Sequence, residues 1–249
     1  MSNYSEDNFW QTIWEFLPGI TKFLSVLGVI FVLFNVFTLA FGDSNKTTRE
    51  ASISDVSLQK SYNNTMGNKD AKVKLVYFVD YQCPACKGNQ PVMNEVKTSY
   101  QDRVQFIYKH FPLDSIHPYA IPAAKGVQAA GKQGKYKEFE EKAFALQDTG
   151  LTASALEGAA RDLGLDITRW NNDRNSREVS NQINFDKEDL TDAAFPKSTK
   201  SNKEKASGDL KDIGTPISVL YKNGQVIDWW TGGLPAQELK STLDNALKS

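Results

Sequence analysis

Residues 72–86 read KVKLVYFVDYQCPAC and hold both cysteines of a 249-residue chain. The first eight begin with alternation and become continuously apolar, the pattern of a central strand covered on both faces. The cysteines follow at once. Pro84 stands where a helix can begin, because the N–H that proline lacks is one the first turn leaves unbonded anyway. Val92, Met93 and Val96 then form one stripe, so a helix from the cysteines to about residue 100 is predicted, kinked or broken at Pro91. Val104, Phe106 and Tyr108 alternate in a second strand over 103–109. This strand, helix, strand unit places a close cysteine pair at the carboxyl end of its first strand, where open α/β sheets tend to carry their sites.

Beyond His110-Phe111-Pro112 the period changes. Residues 115–130 are Ala-rich despite Pro118 and Pro122, and 134–146, 152–163 and roughly 169–183 each read as a helix between Gly, Asp or Thr punctuation. The middle one carries Leu151, Leu156, Ala160 and Leu163 on a single face, a packing stripe. The polar tract 197–205, KSTKSNKEK, reads as solvated surface. Strand pattern returns at 216–221. Asn223-Gly224 is a type I′ hairpin signal, 225–230 returns antiparallel, and a helix over 235–247 closes the chain on Leu239, Leu243, Ala246 and Leu247. One mixed α/β domain over 69–249 results, with a helical insertion at about 114–210.

Ahead of this unit, residues 23–42, FLSVLGVIFVLFNVFTLAFG, contain no charge and are bounded by Lys22 and Asp43. Twenty residues of helix span about 30 Å, enough for a bilayer core, so an uncleaved transmembrane anchor is expected, with a small-residue cleavage site at Ala40 and Gly42 as the alternative. Residues 1–22 then form a short cytoplasmic or interfacial segment in which Trp10, Ile13, Trp14 and Leu17 recur at helical spacing. Residues 43–68 are rich in Ser, Thr, Asn and Lys and read as a polar linker, with room for a short helix at 53–62. Lys22 and the amino terminus on one side balance Lys46 and Arg49 on the other, so charge alone does not orient the span.

Twenty-nine Lys plus Arg against 30 Asp plus Glu leave a net charge of -1, which provides no polybasic groove and no case for a nucleic-acid surface. Cys83 and Cys86 stand too close for a bridge between them to restrain much unfolded-chain entropy, so a purely stabilising staple explains them poorly. With His110 and His117 they make four candidate zinc ligands, but the spacing misses that of a zinc finger, and no metal is expected. His110 reads instead as a strand-end or surface residue, with a minor role beside the site as an alternative. No cofactor signature occurs, and the close cysteine pair reads as chemical in its use.

The chain resembles the DsbA-type thioredoxin-like oxidoreductases, which place disulfides in proteins outside the cytoplasm. The resemblance covers about residues 69–248. It rests on Phe78-Val79-Asp80-Tyr81-Gln82-Cys83-Pro84-Ala85-Cys86 at a helix start, Lys109-His110-Phe111-Pro112-Leu113 leaving the second strand, the Ala-rich insertion, and Gly214-Thr215-Pro216 entering the third. It implies a thioredoxin-like fold with a helical insertion, preceded here by one transmembrane helix. By the same resemblance Pro216 is a cis-proline facing the cysteines, Thr215 offers backbone to a bound chain, and Pro84 and Ala85 touch the substrate.

On that pattern Cys83 is the nucleophile and Cys86 the resolving thiol. Unpaired N–H groups and the helix dipole favour a thiolate at Cys83, and Cys86 lies one turn in. Asp80 either assists proton transfer at Cys86 or caps the turn. The strongly oxidising members carry His where Ala85 stands, so a less oxidising pair is expected here. Trp229-Trp230 reads as a packed hairpin end or, alternatively, as contact with an unfolded substrate or membrane oxidase. The expected activity is disulfide donation to reduced translocated proteins, on the outer face of the cell membrane, with a quinone-linked membrane oxidase to recycle the enzyme. The alternatives are an extracytoplasmic disulfide reductase, an isomerase (less favoured, because 43–68 supplies no obvious dimerising module), and a non-catalytic thioredoxin-like binding or chaperone module.

Overall fold

In the computed structural model of the chain, which describes residues 64–191 and 214–248, the apolar run ahead of the cysteines is the middle strand of a five-stranded sheet. The strands are β1 (Thr65–Gly67), β2 (Val73–Val79), β3 (Val104–His110), β4 (Ile217–Lys222) and β5 (Gln225–Thr231). Their spatial order is β1-β3-β2-β4-β5. Only β2 and β3 run parallel, with Val79 opposite His110, and every other pairing is antiparallel.

The continuous apolarity of β2 has a geometric cause. Val73, Leu75, Tyr77 and Val79 face one hydrophobic core, while Val76 and Phe78 face a second with Phe111, Leu190, Ile217, Val219 and Trp229. Neighbouring strand residues point to opposite faces, so a strand covered on both must be apolar throughout. Burying a side chain such as Phe78 in this way stabilises the fold by about 1.5–3 kcal/mol. The same rule separates Trp229 from Trp230, which is buried in the first core. Both indoles are packing residues, and the alternative of a substrate-contact surface at this pair is set aside.

Helix α1 (Pro84–Tyr100) begins at the cysteine pair and runs without a break through Pro91, whose ring is exposed. The helical subdomain contains α2 (Ala120–Gly131), α3 (Tyr136–Ala145), a single 3₁₀ turn (Leu146–Asp148), α4 (Ala153–Asp162), α5 (Ile167–Arg174) and α6 (Arg177–Thr191). The sequence reading fused α5 and α6 into one helix. They are two because Ser176 ends the first and caps the second, its Oγ accepting from the Val179 N–H at 3.2 Å. Gly126 lets α2 press against its neighbours: a Cβ there would stand 3.2 Å from Trp170 and 3.3 Å from Phe139. Trp170 completes the joint by donating Nε1–H to the Gly126 carbonyl at 2.9 Å. Helix α7 (Ala236–Lys248) packs Leu239, Leu243 and Ala246 into the first core.

Asn223 and Gly224 both take positive φ, 51° and 80°, as a type I′ hairpin requires. One register shift was not foreseen. Leu220 pairs with Asp228 but Tyr221 pairs with Val226, so Ile227 bulges out of β5 and is exposed. Strand β1 also corrects the expected linker boundary, because Thr65–Gly67 pairs with β3 inside the stretch read as tether. The anchor at 23–42, the segment 1–22, the short helix at 53–62 and the tract 197–205 lie outside the described residues. Among the described residues no helix is long and apolar enough to cross a membrane.

Candidate active site

Strand β2 ends at Val79, the backbone turns through Asp80-Tyr81-Gln82, and Cys83 becomes the residue before the first turn of α1. Cys83 keeps an extended backbone (φ -72°, ψ 121°) while its carbonyl accepts the first helical bond from the Lys87 N–H at 3.2 Å. Pro84 follows at the start of the helix without wasting a donor. Pro84 and Ala85 are exposed, and both cysteines are free thiols, Cys83 7% and Cys86 1% accessible. The sequence order of exposure therefore holds only at the margin: both sulfurs lie low, with Cys83 at the rim.

Their electrostatics differ far more than their exposure. The Cys83 thiol is lowered to about 5, chiefly because the Cys86 thiol donates a hydrogen bond to its sulfur; burial opposes this, and the N–H groups of Cys86 and Ala85 add to the lowering. Cys86 is pushed well above the ordinary thiol range by burial and by the charge and hydrogen bond of Cys83. The expected helix-end contribution is present through those N–H groups, but the partner thiol outweighs it.

The chain returns to this place from far along the sequence. The Thr215–Pro216 peptide is cis, both residues are buried, and the Cys83 Sγ lies 3.3 Å from the Thr215 carbonyl oxygen. Thr215, Pro216, Cys83, Cys86, Pro84 and Ala85 are thus gathered at one end of the sheet by β2, α1 and the entry to β4.

Asp80 is placed differently. Its carboxylate is fully buried, accepts from the Gln82 N–H at 2.7 Å and the Leu113 N–H at 2.9 Å, and pairs with His117 Nδ1 at 2.7 Å. All these partners belong to the turn and to the segment after β3, so of the two roles weighed for Asp80 the geometry favours closing the turn. Gln82 reinforces the same contact, its Oε1 accepting from the Tyr119 N–H at 2.6 Å. His110 is the last residue of β3 as expected, but it is wholly buried rather than on the surface. Its Nε2 meets Gln128 Oε1 at 3.0 Å, and burial lowers its pKa. Among the described residues no three of His, Cys, Asp and Glu are placed to share a metal ion.

Three further features were not legible in the sequence. Gln147, in the 3₁₀ turn, donates its amide to the Tyr81 carbonyl at 2.7 Å and the Cys83 carbonyl at 3.1 Å. Beneath the cysteines lies a set of buried tyrosines. Tyr77 meets Tyr108 edge-on and accepts from Asn89 Nδ2 at 3.0 Å, and the Tyr81 and Tyr136 hydroxyls are 2.7 Å apart. Tyr77 is raised well above the usual phenol range by burial first and then by Cys86. Glu140 of α3, also buried, is raised to about 7, mainly by burial with Lys97 partly opposing it. No local motif marks a Gln or Glu in the middle of an amphipathic insertion; their signal is purely tertiary.

A family profile described as thioredoxin matches residues 59–207. Among solved structures, the thiol-disulfide exchange protein alpha-DsbA2 of Wolbachia pipientis is similar, with a TM-score of 0.62 and 18% identity over 79% of this chain and 94% of that one. A thioredoxin-like oxidoreductase from Silicibacter pomeroyi gives 0.57 and 23% identity over 77% of this chain and 98% of its own. The catalytic domain of Proteus mirabilis ScsC gives 0.57 and 20% over 78% and 95%. At these identities the likeness is one of fold. Curated relatives include a Na(+)/H(+) antiporter NhaA 1 of Mycobacterium sp. (strain KMS), 36% identical over 107 residues, and NhaA 3 of Salinispora tropica, 36% over 104. Those matches take in 43% and 42% of this chain but only 17% and 16% of the antiporters, so the chain spans about a sixth of their length.

Proposed function

The chain belongs to the thioredoxin family, and from that premise we propose that it is a thiol:disulfide oxidoreductase that donates disulfides to reduced proteins through Cys83 and Cys86. The observation that carries the proposal is the asymmetry of the two thiols, one lowered to about 5 at the rim and the other raised and buried one turn away.

In the oxidised protein a substrate thiolate attacks the sulfur of Cys83. The S–S bond breaks, Cys86 leaves and takes up a proton, and a mixed disulfide forms between Cys83 and substrate. A second substrate thiolate then attacks its own sulfur in that mixed disulfide and expels Cys83 as a thiolate. The substrate has lost two electrons and gained one disulfide; the protein holds two thiols. A leaving group with a low pKa departs readily, and a stabilised Cys83 thiolate favours the reduced protein, which makes its disulfide an oxidant. Thr215, whose carbonyl lies 3.3 Å from the sulfur, and Pro216 next to it in the chain are assigned to hold the backbone of the substrate, with the exposed Pro84 and Ala85 beside them.

The proposal includes place and partners. Uncleaved, residues 23–42 anchor the domain as a single-pass protein with its redox site outside the cytoplasm, where thiol oxidation persists. Translocated proteins still in the reduced state are its substrates, and a quinone-linked membrane oxidase returns it to the disulfide form. The test is the equilibrium potential of the full chain against glutathione, measured beside its ability to oxidise a reduced unfolded protein. With Ala85 between the cysteines the expected potential falls between about -270 mV and about -120 mV, the thioredoxin and DsbA values. A potential at the thioredoxin end, with no oxidation of the substrate, would replace donation with reduction.

A further inference from the structure

We propose that Gln147 is a positioning residue for the reactive thiol, holding the backbone of the Cys83 loop with its amide and so making the helical subdomain part of the redox site. This rests on reading Cys83 as the reacting sulfur.

The Tyr81-Gln82-Cys83 segment lies between a strand and a helix, and the Cys83 carbonyl already accepts the first helical bond from the Lys87 N–H at 3.2 Å. The Tyr81 carbonyl must find its partner elsewhere, because a buried or half-buried C=O left unbonded is costly, and the second lone pair of the Cys83 carbonyl is open to another donor. A primary amide has two N–H groups on one nitrogen, and Gln147 directs that nitrogen at two carbonyls two residues apart, Tyr81 at 2.7 Å and Cys83 at 3.1 Å. Fixing both ends of Gln82 fixes the peptide planes that set where the Cys83 Sγ stands. That position decides the sulfur's distance to the Cys86 thiol, to the N–H groups of Ala85 and Cys86, and to the Thr215 carbonyl at 3.3 Å.

The clamp comes from a different element than the other restraints on this loop. Asp80 and Gln82 tie the loop to Leu113, His117 and Tyr119, whereas Gln147 comes from the turn between α3 and α4. The neighbouring Asp148 adds an ion pair to Lys87 of α1 at 2.6 Å, but Asp148 is 76% exposed and water weakens that contact. Gln147 is neutral. Any influence it has on the Cys83 thiolate therefore passes through geometry and not through charge, which makes the inference separable from simple electrostatics.

The test compares Gln147→Met with Asp148→Asn in the full chain. The first removes both donors while keeping length and charge; the second changes a nearby charge and leaves the clamp. Thiolate formation is followed by absorbance at 240 nm across pH, and Cys83 alkylation is timed at pH 5. Gln147→Met should move the titration midpoint upward and slow alkylation about threefold or more, because the rate follows the thiolate fraction. Asp148→Asn should track the wild type. If Gln147→Met loses its near-ultraviolet circular dichroism, Gln147→Asn, which keeps the amide but shortens its reach by one methylene, takes its place with the same expectation. Superimposable titrations of the folded variant and wild type overturn the proposal. A wild-type protein inert toward both reduced and oxidised substrates ends the functional reading above, while the titration still decides the role of Gln147.

Discussion

Cys83 and Cys86 stand one helical turn apart and differ little in accessibility, yet one thiol is lowered to about 5 and the other is raised. Burial alone would raise both. The difference comes from who donates to whom: Cys83 receives hydrogen bonds from the thiol of Cys86 and from N–H groups at the open end of α1, while Cys86 faces the apolar interior and a neighbouring negative charge. A helix start supplies this polarity at very short range, because its first N–H groups have no partners inside the helix.

The most direct way to break the comparison is to remove each sulfur in turn. Cys83→Ser should abolish exchange with substrate altogether. Cys86→Ser should still attack and should trap the mixed disulfide, visible as a covalent adduct under non-reducing electrophoresis. In that variant the Cys83 midpoint should also rise, since its largest stabilising donor becomes a different group. Equal loss of adduct in both variants would mean that the two thiols are interchangeable.

A smaller effect should come from beneath the pair. Glu140 has its folded-state pKa raised from 4.5 to about 7, so the folded protein holds a proton that the unfolded chain has released. Its influence on stability is therefore favourable at low pH and is lost as pH rises through the window from about 4.5 to 7. That shift corresponds to about 3 kcal/mol. Glu140→Gln should flatten this part of the denaturation profile, while leaving the strand and helix content unchanged by circular dichroism. An unchanged slope would remove Glu140 from the account of the buried side.

The smallest change is expected at Asp80. Asp80→Asn keeps the shape but weakens the bonds to the Gln82 and Leu113 N–H groups and to His117, and should cost about 1–3 kcal/mol in urea denaturation. The pH profile of thiol exchange should stay where it is. A displaced profile would restore the proton-transfer role and tie the asymmetry of the cysteines to a carboxylate after all.

Much of this architecture could be read from local pattern. VKLVYFV announces a doubly covered strand, Pro84 announces a helix start, and Asn223-Gly224 announces a tight hairpin, because each is a short-range steric or solvation requirement. Strand β1 was invisible for the opposite reason. Thr65-Met66-Gly67 has no alternation to show and is a strand only because β3 offers a free edge. Ser176 looked like any polar residue within a helical period until its cap was seen. At the site, the CxxC spacing and Thr215-Pro216 were legible, whereas His117 with Asp80 and Gln147 with the Cys83 loop are meetings of residues 37 and 64 positions apart. No periodicity encodes such contacts; they exist only once the insertion has folded over the sheet.

The bulge at Ile227 has a consequence for the company this protein is proposed to keep. Among the described residues β5 is one border of the sheet and β1, three residues long, is the other. An extended chain seeking a border on which to add itself finds too short a rail on one side. On the other, the register slips between Leu220 and Tyr221, so an even ladder cannot propagate along β5. The reduced chains proposed as its substrates would thereby be kept from adding to the sheet as extra strands.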